Sequence, residues 1–304
     1  MFFTLEKMLR RVQELGERRY LNTESIAPME AMEGTNGYDE VYTGIPETFD
    51  GKPFALGDRF CGKDKFLWLR KTVTIPQSVE GCEVTGLFDF GKTGGGFNSG
   101  FESLLYIDGH PYQAVDTYHH DVPLEKLAGK QVTMTFLLWT GRGGQEYETV
   151  FEHEFRRADL GYLHKATDEL YYLCRAALET AQILAEDDRS RDALFDAMER
   201  SMLCLNWDED KFYDSVPAAL DCIKKVLAEN KTESPVTVHC VGQTHIDVAW
   251  LWRYKNTREK VQRSCATALQ LMDEFDQFVF LLTQPQVYQY LKEDCPELYE
   301  RVKE

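Results

Sequence analysis

Apolar and polar positions along the chain follow three successive rhythms. The opening "MFFTLEKMLRRVQEL" has helical spacing, with charges on one side, and predicts an amphipathic helix. "MEAMEGTNGYDEVYTGIPETFDGKP" then keeps no period, is rich in Gly, Pro, Asp and Glu, and predicts a wrapping loop. A two-residue rhythm takes over. "FLWLRKTVTIP" puts Leu67, Leu69, Val73 and Ile75 on one face, and "QVTMTFLLW" does the same with Val132, Met134, Phe136 and Leu138. "EVTGLFDF", "ESLLYIDG" and "VFEHEF", which carries Phe151 and Phe155, add further short strands. Gly-containing turns separate them, predicting an antiparallel sandwich from about Tyr42 to Asp159.

From Asp168 the rhythm becomes helical. Leu170, Leu173, Ala177, Ala181 and Leu184 mark one helix, Leu194, Met198, Met202 and Leu205 a second, and Leu220, Ile223 and Leu227 a third. "NKTESP" breaks this helical connector before Val236. "VTVHCVG" and "FVFLLT" then predict buried parallel strands. Between them lies a helix, opened by an Asn256/Glu259 capping box, that buries Val261, Cys265, Ala268, Met272 and Phe275. Pro296 opens a last helix to Glu304. Two parallel strands cannot cover both faces of a sheet, so this portion has the pattern of the opening of an α/β domain.

Composition narrows the partners. The 304 residues are 43% hydrophobic and 28% charged, as in a globular protein with more than one core. The formal charge of -17 repels phosphate backbones and anionic lipid heads, which excludes nucleic acid and membrane as natural partners. A neutral sugar is compatible with it. Glu6, Lys7, Arg10 and Arg11 interrupt the first apolar run, so no signal peptide is expected. The eight cysteines lack a Cys-x-x-Cys pair or a dense framework, predicting reduced thiols and a cytoplasmic protein. Without export, the Asn230-Lys231-Thr232 sequon carries no meaning.

Candidate chemistry concentrates in "VGQTHIDVAWLW", Val241 to Trp252. Residues two apart in extended chain point the same way, so His245 and Asp247 converge just past a strand end. An imidazole nitrogen with a carboxylate oxygen suits zinc or a neighbouring divalent cation, although a catalytic zinc takes three or more protein ligands. The alternative is a mutually satisfied polar pair. Trp250 and Trp252 are either core aromatics or a platform for a hexose ring.

Other candidates are weaker. Gln284 and Gln286 follow the second strand at the same sheet end, to bond sugar hydroxyls or to cap a turn. Arg253 is expected to pair with a carboxylate. "GKTGGGFNSG" lacks the Lys-Ser/Thr ending of a phosphate loop and predicts a turn. His119, His120 and Asp121 are more at home in a polar loop than around a metal, and "WDEDKFYD" has Tyr213 where a calcium loop needs glycine.

The stretches "GQTHIDVAWLWRYKNTREKVQRSCATALQLMDEF" and "LLTQPQVYQYLKEDCPELYERVKE" resemble the start of the catalytic domain of glycoside hydrolase family 38, the class II α-mannosidases. "FALGDRFCGKDKFLWLRKTVTIP" and "LLYIDGHPYQAVDTYHHDVPL" resemble the amino-terminal β-domain of its cytosolic and bacterial branch. The resemblance implies that His245 and Asp247 are the first two ligands of an active-site Zn2+, or a substitute such as Co2+. It also implies that Trp250 lines the subsite of the mannose being cleaved. The implied reaction is retaining hydrolysis of α-mannosides in oligosaccharide glycans, with an aspartate as both ligand and nucleophile. That aspartate, the remaining histidine ligand and the acid are expected beyond Glu304, so this chain by itself is expected to be inactive.

The implied fold is multidomain α+β. Residues 1–40 are expected to form the first helix and wrapping loop, and 41–160 the sandwich. A connector spans 161–232, and 233–304 holds the first β/α units of an incomplete seven-stranded β/α barrel. Two alternatives stay open, a noncatalytic carbohydrate-binding or assembly module and a metal-dependent deacetylase on a related barrel. Homo-oligomerisation, glycan linkage and the identity of the metal are left undecided by the sequence.

Overall fold

A computed structural model describes residues 4–37, 39–91, 101–142, 151–230 and 236–304. The glycine-rich run after Gly91 and the break at 231–235 lie outside the described residues. The chain begins with α1 (Thr4–Glu17), β1 (Tyr20–Ser25), β2 (Met29–Glu33), β3 (Lys52–Phe54) and β4 (Arg59–Gly62). Next come β5 (Phe66–Thr74), β6 (Cys82–Asp89), β7 (Glu102–Ile107), β8 (His110–Asp116), β9 (Asp121–Pro123) and β10 (Gln131–Trp139). Strands β11 (Phe151–Glu154) and β12 (Arg157–His164) lead into helices α2 (Lys165–Ile183), α3 (Arg189–Cys204) and α4 (Phe212–Glu229). The last portion holds β13 (Gly242–Gln243), α5 (Tyr254–Glu274), β14 (Phe280–Leu281), α6 (Pro285–Asp294) and α7 (Pro296–Lys303).

Two compact units result. The first comprises Met1–Thr23, Ser78–Val84 and Gly161–Val238. Its helices share one core: Met8, Val12 and Leu15 of α1 meet Leu170, Cys174 and Leu178 of α2, with Met198 and Met202 of α3 and Val216 and Ile223 of α4. The predicted connector is therefore a bundle with its own interior. It recruits α1 because that helix's apolar stripe has to be buried somewhere. The Ser201 hydroxyl, buried between α3 and α4, donates to the Ala219 carbonyl at 2.8 Å. Asp188 caps α3 by accepting from the Ser190 N–H at 2.7 Å.

The second unit comprises Glu24–Gln77, Thr85–Leu160 and His239–Glu304. A six-stranded sheet of order β3-β2-β5-β10-β7-β8 is antiparallel throughout, with Leu69 opposite Phe136 and Phe136 opposite Leu105. Within this unit Thr85–Leu87 of β6 also pair antiparallel with Asp121–Pro123 of β9, and β4 pairs with β11. On one face of the large sheet Phe136 packs against Phe88 and Phe90 at 4.8 and 5.1 Å between ring centroids. The opposite face carries Phe66, Trp68, Leu104, Tyr106, Leu137 and Trp139, and it is buried too. Val261, Cys265 and Ala266 of α5, Val287 and Leu291 of α6, and Leu298 of α7 cover it.

Several expectations need correction. Strands β2 and β3 lie within the predicted wrapping loop, and Ala31 pairs with Leu69, so the sheet begins well before Tyr42. Of β2 only Met29 is fully buried, which left too little alternation to mark a strand. The predicted buried strand at Val236–Val241 is also absent. Val236, Val238 and Val241 are exposed, and regular parallel pairing is confined to Gly242–Phe280 and Gln243–Leu281. A parallel strand needs neighbours on both sides and cover on both faces, and among the described residues β13 has only β14. Helix α5 opens at Tyr254, where the Arg253 N–H donates to Asn256 Oδ1 at 3.1 Å, and at its far end Met272 and Phe275 are exposed. None of the eight cysteines is in a disulfide, and no helix among the described residues is long and apolar enough to cross a membrane.

Charge ties α5 to the sheet. Glu102 of β7 accepts from Lys260 Nζ at 2.5 Å and also from the Arg263 guanidinium. Burial pushes the Glu102 carboxyl up, but the Arg263 and Lys260 charges outweigh it and hold it below the usual carboxylate range. This contribution is present at neutral pH and is lost as pH falls through the depressed value. Replacing Glu102 by Ala strands two nearly buried cations. Because the carboxylate is a third exposed, the expected loss is about 2–3 kcal/mol, short of the 3–5 kcal/mol of a fully buried pair. Urea unfolding at pH 7 followed by tryptophan fluorescence measures it.

Candidate functional site

The site is a loop between β13 and α5. After Gln243 alternate side chains face opposite ways. Ile246 points inward and is buried. Its backbone is held at both ends by one side chain: the Ile246 N–H donates to Gln284 Oε1 at 3.0 Å, and Gln284 Nε2 donates to the Ile246 carbonyl at 2.8 Å. His245 and Asp247 point outward and meet, with 2.8 Å between Nε2 and Oδ1. Their side chains are 67% and 40% exposed, so both groups are open to solvent rather than sealed in hydrocarbon.

Thr257, in the first turn of α5, fixes the other end of the loop. Its hydroxyl donates to the Asp247 carbonyl at 2.9 Å and accepts from Trp252 Nε1 at 3.0 Å. Trp252 is half-buried beneath the Lys260 ammonium, 4.5 Å from its ring. Trp250 packs edge-on against it at 5.7 Å and is itself 58% exposed, which removes it from the core. The Val248–Ala249 peptide between these groups is cis. A cleft of about 450 Å³ opens beside His245, lined also by Trp252, Glu102, Asp116, His119 and Lys260.

The other candidates take quieter places. Gln284 spends its amide on Ile246, which favours the turn-holding role over the sugar-binding one. Gln286 is exposed in the first turn of α6. Arg253 is paired as expected, 3.0 Å from Asp64. His119 Nδ1 lies 2.9 Å from Asp116, and this bond, against the effect of burial, raises the imidazole above its ordinary range. The ring nitrogens of His120 face the Phe88 and Thr117 carbonyls, each at 2.9 Å. Among the described residues no three His, Cys, Asp or Glu side chains form a group able to hold a metal. His245 and Asp247 thus offer two donors of the right chemistry for a divalent cation, fewer than a closed cage needs.

Residues 235–304 match the family described as "Glycosyl hydrolases family 38 N-terminal domain", and residues 29–148 match "Alpha-mannosidase, jelly roll domain". Residues 235–304 are thus similar to the start of the glycoside hydrolase family 38 domain. Human "Alpha-mannosidase 2C1" is 29% identical over 272 residues, which is 84% of this chain and 25% of that protein. "Alpha-mannosidase G" of Dictyostelium discoideum is 33% identical over 152 residues, 50% of this chain and 14% of that protein. "Alpha-mannosidase" of Saccharomyces cerevisiae is 33% identical over 111 residues, 36% and 10% of the two chains. The chain spans about a quarter of the length of the human relative. The jelly roll match begins at Met29, the first residue of β2, in agreement with the early start of the large sheet.

Sequence reasoning missed the groups that hold the family 38 loop. Thr257 reaches back ten residues to Asp247, and Gln284 reaches back 38 to Ile246, contacts that no local period announces. Glu259 was missed in another sense. It is buried one turn into α5, where burial pushes its carboxyl up to about 7 against the pull of Arg263, Lys255 and the Asn256 amide. A raised carboxylate favours the neutral form in the folded state. Its stability contribution is full below about 4.5 and is lost as pH rises through about 7. Glu259→Gln is therefore expected to match the parent protein near pH 4 and to exceed it by roughly 3 kcal/mol near pH 8. Chemical unfolding at the two pH values checks this.

Proposed function

We propose that this chain is the amino-terminal part of a zinc-dependent, retaining α-mannosidase that hydrolyses α-mannosidic bonds in glycans. The observation that carries the reading is the meeting of His245 Nε2 and Asp247 Oδ1 on an exposed loop inside the family 38 segment. In this reading the two are the first metal ligands, and Zn2+, or Co2+ in its place, supplies Lewis acidity and a template for the sugar hydroxyls when bound. Trp250 offers its open indole face to the apolar side of a mannose ring. Gln284 holds Ile246 so that the residues on either side of it converge, and Gln286 is exposed to solvent, where its amide would reach a hydroxyl.

The β13-α5-β14 unit is, on this proposal, the first of the β/α units of a seven-stranded barrel. Ahead of it stand the jelly roll sandwich and the helical bundle as separate modules. Eight cysteines without a disulfide and a charge of -17 accord with a cytoplasmic enzyme acting on uncharged glycans. With two metal donors and neither nucleophile nor acid assigned among its residues, the isolated chain is proposed to be inactive. The deacetylase alternative draws no support from the two domain matches, both of which are to mannosidase segments.

Two measurements test this. Titration of the chain with Co2+ is expected to show binding weaker than about micromolar, because only part of the cage is present, and the binding should vanish in His245→Ala and in Asp247→Ala. Tight binding that survives both substitutions would refute the ligand assignment. An aryl α-mannoside is expected to stay intact with the purified chain; turnover that follows the protein through every purification step would remove the claim of inactivity.

A further inference from the structure

The loop bearing His245 and Asp247 is anchored at a point remote in sequence and outside the family 38 segment. Asp64 lies between β4 and β5 of the jelly roll, in left-handed backbone (φ 54), with its N–H donating to the Gly141 carbonyl at 2.7 Å. Its side chain is only 5% exposed. Oδ1 accepts from Trp139 Nε1 at 2.8 Å and from Asn256 Nδ2 at 3.4 Å, while Oδ2 lies 3.0 Å from the Arg253 guanidinium and 3.9 Å from that of Arg142. Arg253 and Asn256 are the residues that open α5. One buried carboxylate from the sandwich thus fastens the first turn of the helix, and the next residue of that turn, Thr257, holds the Asp247 carbonyl and the Trp252 indole.

We infer that Asp64 is a positioning residue for the metal-binding loop, acting through Arg253, Asn256 and Thr257. The inference rests on the reading of His245 and Asp247 as metal ligands. It gives the sandwich a task in the reaction: the sandwich supplies the fixed point from which the ligand loop is hung. A loop tethered only by its own neighbours would sample many separations of the two donors, and affinity for a cation falls with the fraction of time they converge.

The test uses the full chain and two variants, Asp64→Asn, which keeps the shape but removes the charge facing Arg253, and the double variant Asp64→Asn/Arg253→Gln, which removes both charges. Hydrogen exchange read by mass spectrometry is expected to speed up about 10-fold over residues 246–254 in Asp64→Asn, while α2 to α4 keep their rates. The dissociation constant for Co2+ is expected to rise about 10-fold, the effect usual for partners that orient metal ligands. The double variant should recover part of both losses. Unchanged exchange over 246–254 overturns the inference whatever the metal does. If exchange quickens but the parent protein shows no His245-dependent Co2+ binding, the metal reading falls while the hold of Asp64 on the loop stands. Should Asp64→Asn quicken exchange throughout the second unit, the double variant decides: recovery confined to 246–254 supports the role, and none overturns it.

Discussion

The large sheet of the sandwich has no face that can be left in water. Phe136 turns into the aromatic interior between the sheets, while Trp68, Tyr106 and Trp139 turn the other way and need cover of their own. Helix α5 supplies that cover, and in doing so buries Val261, Cys265 and Ala266, which would otherwise lack a partner. The mutual burial is non-directional and sets only that the two surfaces meet. Register comes from charge: Glu102 takes Lys260 and Arg263, Asp64 takes Arg253, and Asp294 with Glu293 takes Arg258. In a chain with 51 acidic and 34 basic residues, this concentration of cations on one helix gives α5 a distinct set of docking partners.

Glu259 is the exception that this arrangement creates. It is the one acid on the buried side of a helix whose neighbours Lys255, Lys260 and Arg263 are cations, yet two of those cations are already engaged with Glu102. Proximity to positive charge alone would lower its carboxyl range. Burial prevails instead, against the pull of Arg263 and Lys255.

Much of the fold was legible because it is periodic. Strands β5 and β10 run nine residues each and are dense in apolar and β-branched residues, and α1 to α4 carry apolar stripes that need no tertiary knowledge. The convergence of His245 and Asp247 was legible for the same reason, since a two-residue spacing in extended chain decides it. Strands β1 to β3 were not: they are short and mostly exposed, and their identity comes from the strand beside them. Val236 to Val241 failed in the opposite direction, for a β-branched run describes what a strand would bury and not whether anything is there to bury it against. Asp64 sits 192 residues from Asn256, and Glu102 sits 158 and 161 residues from Lys260 and Arg263, separations at which one sequence holds no usable signal.

Around the short β13-β14 ladder the apolar side chains of Val241, Val279 and Leu281 are exposed. Among the described residues no third strand joins this ladder, and a strand edge of that kind is a template for an extended polypeptide. Handled alone at high concentration, the chain would tend to add strands from its own copies. Colloidal behaviour, set by competition between that sticky rim and the repulsion of a strongly acidic surface, then becomes a matter of ionic strength, with salt screening the repulsion and leaving the rim untouched.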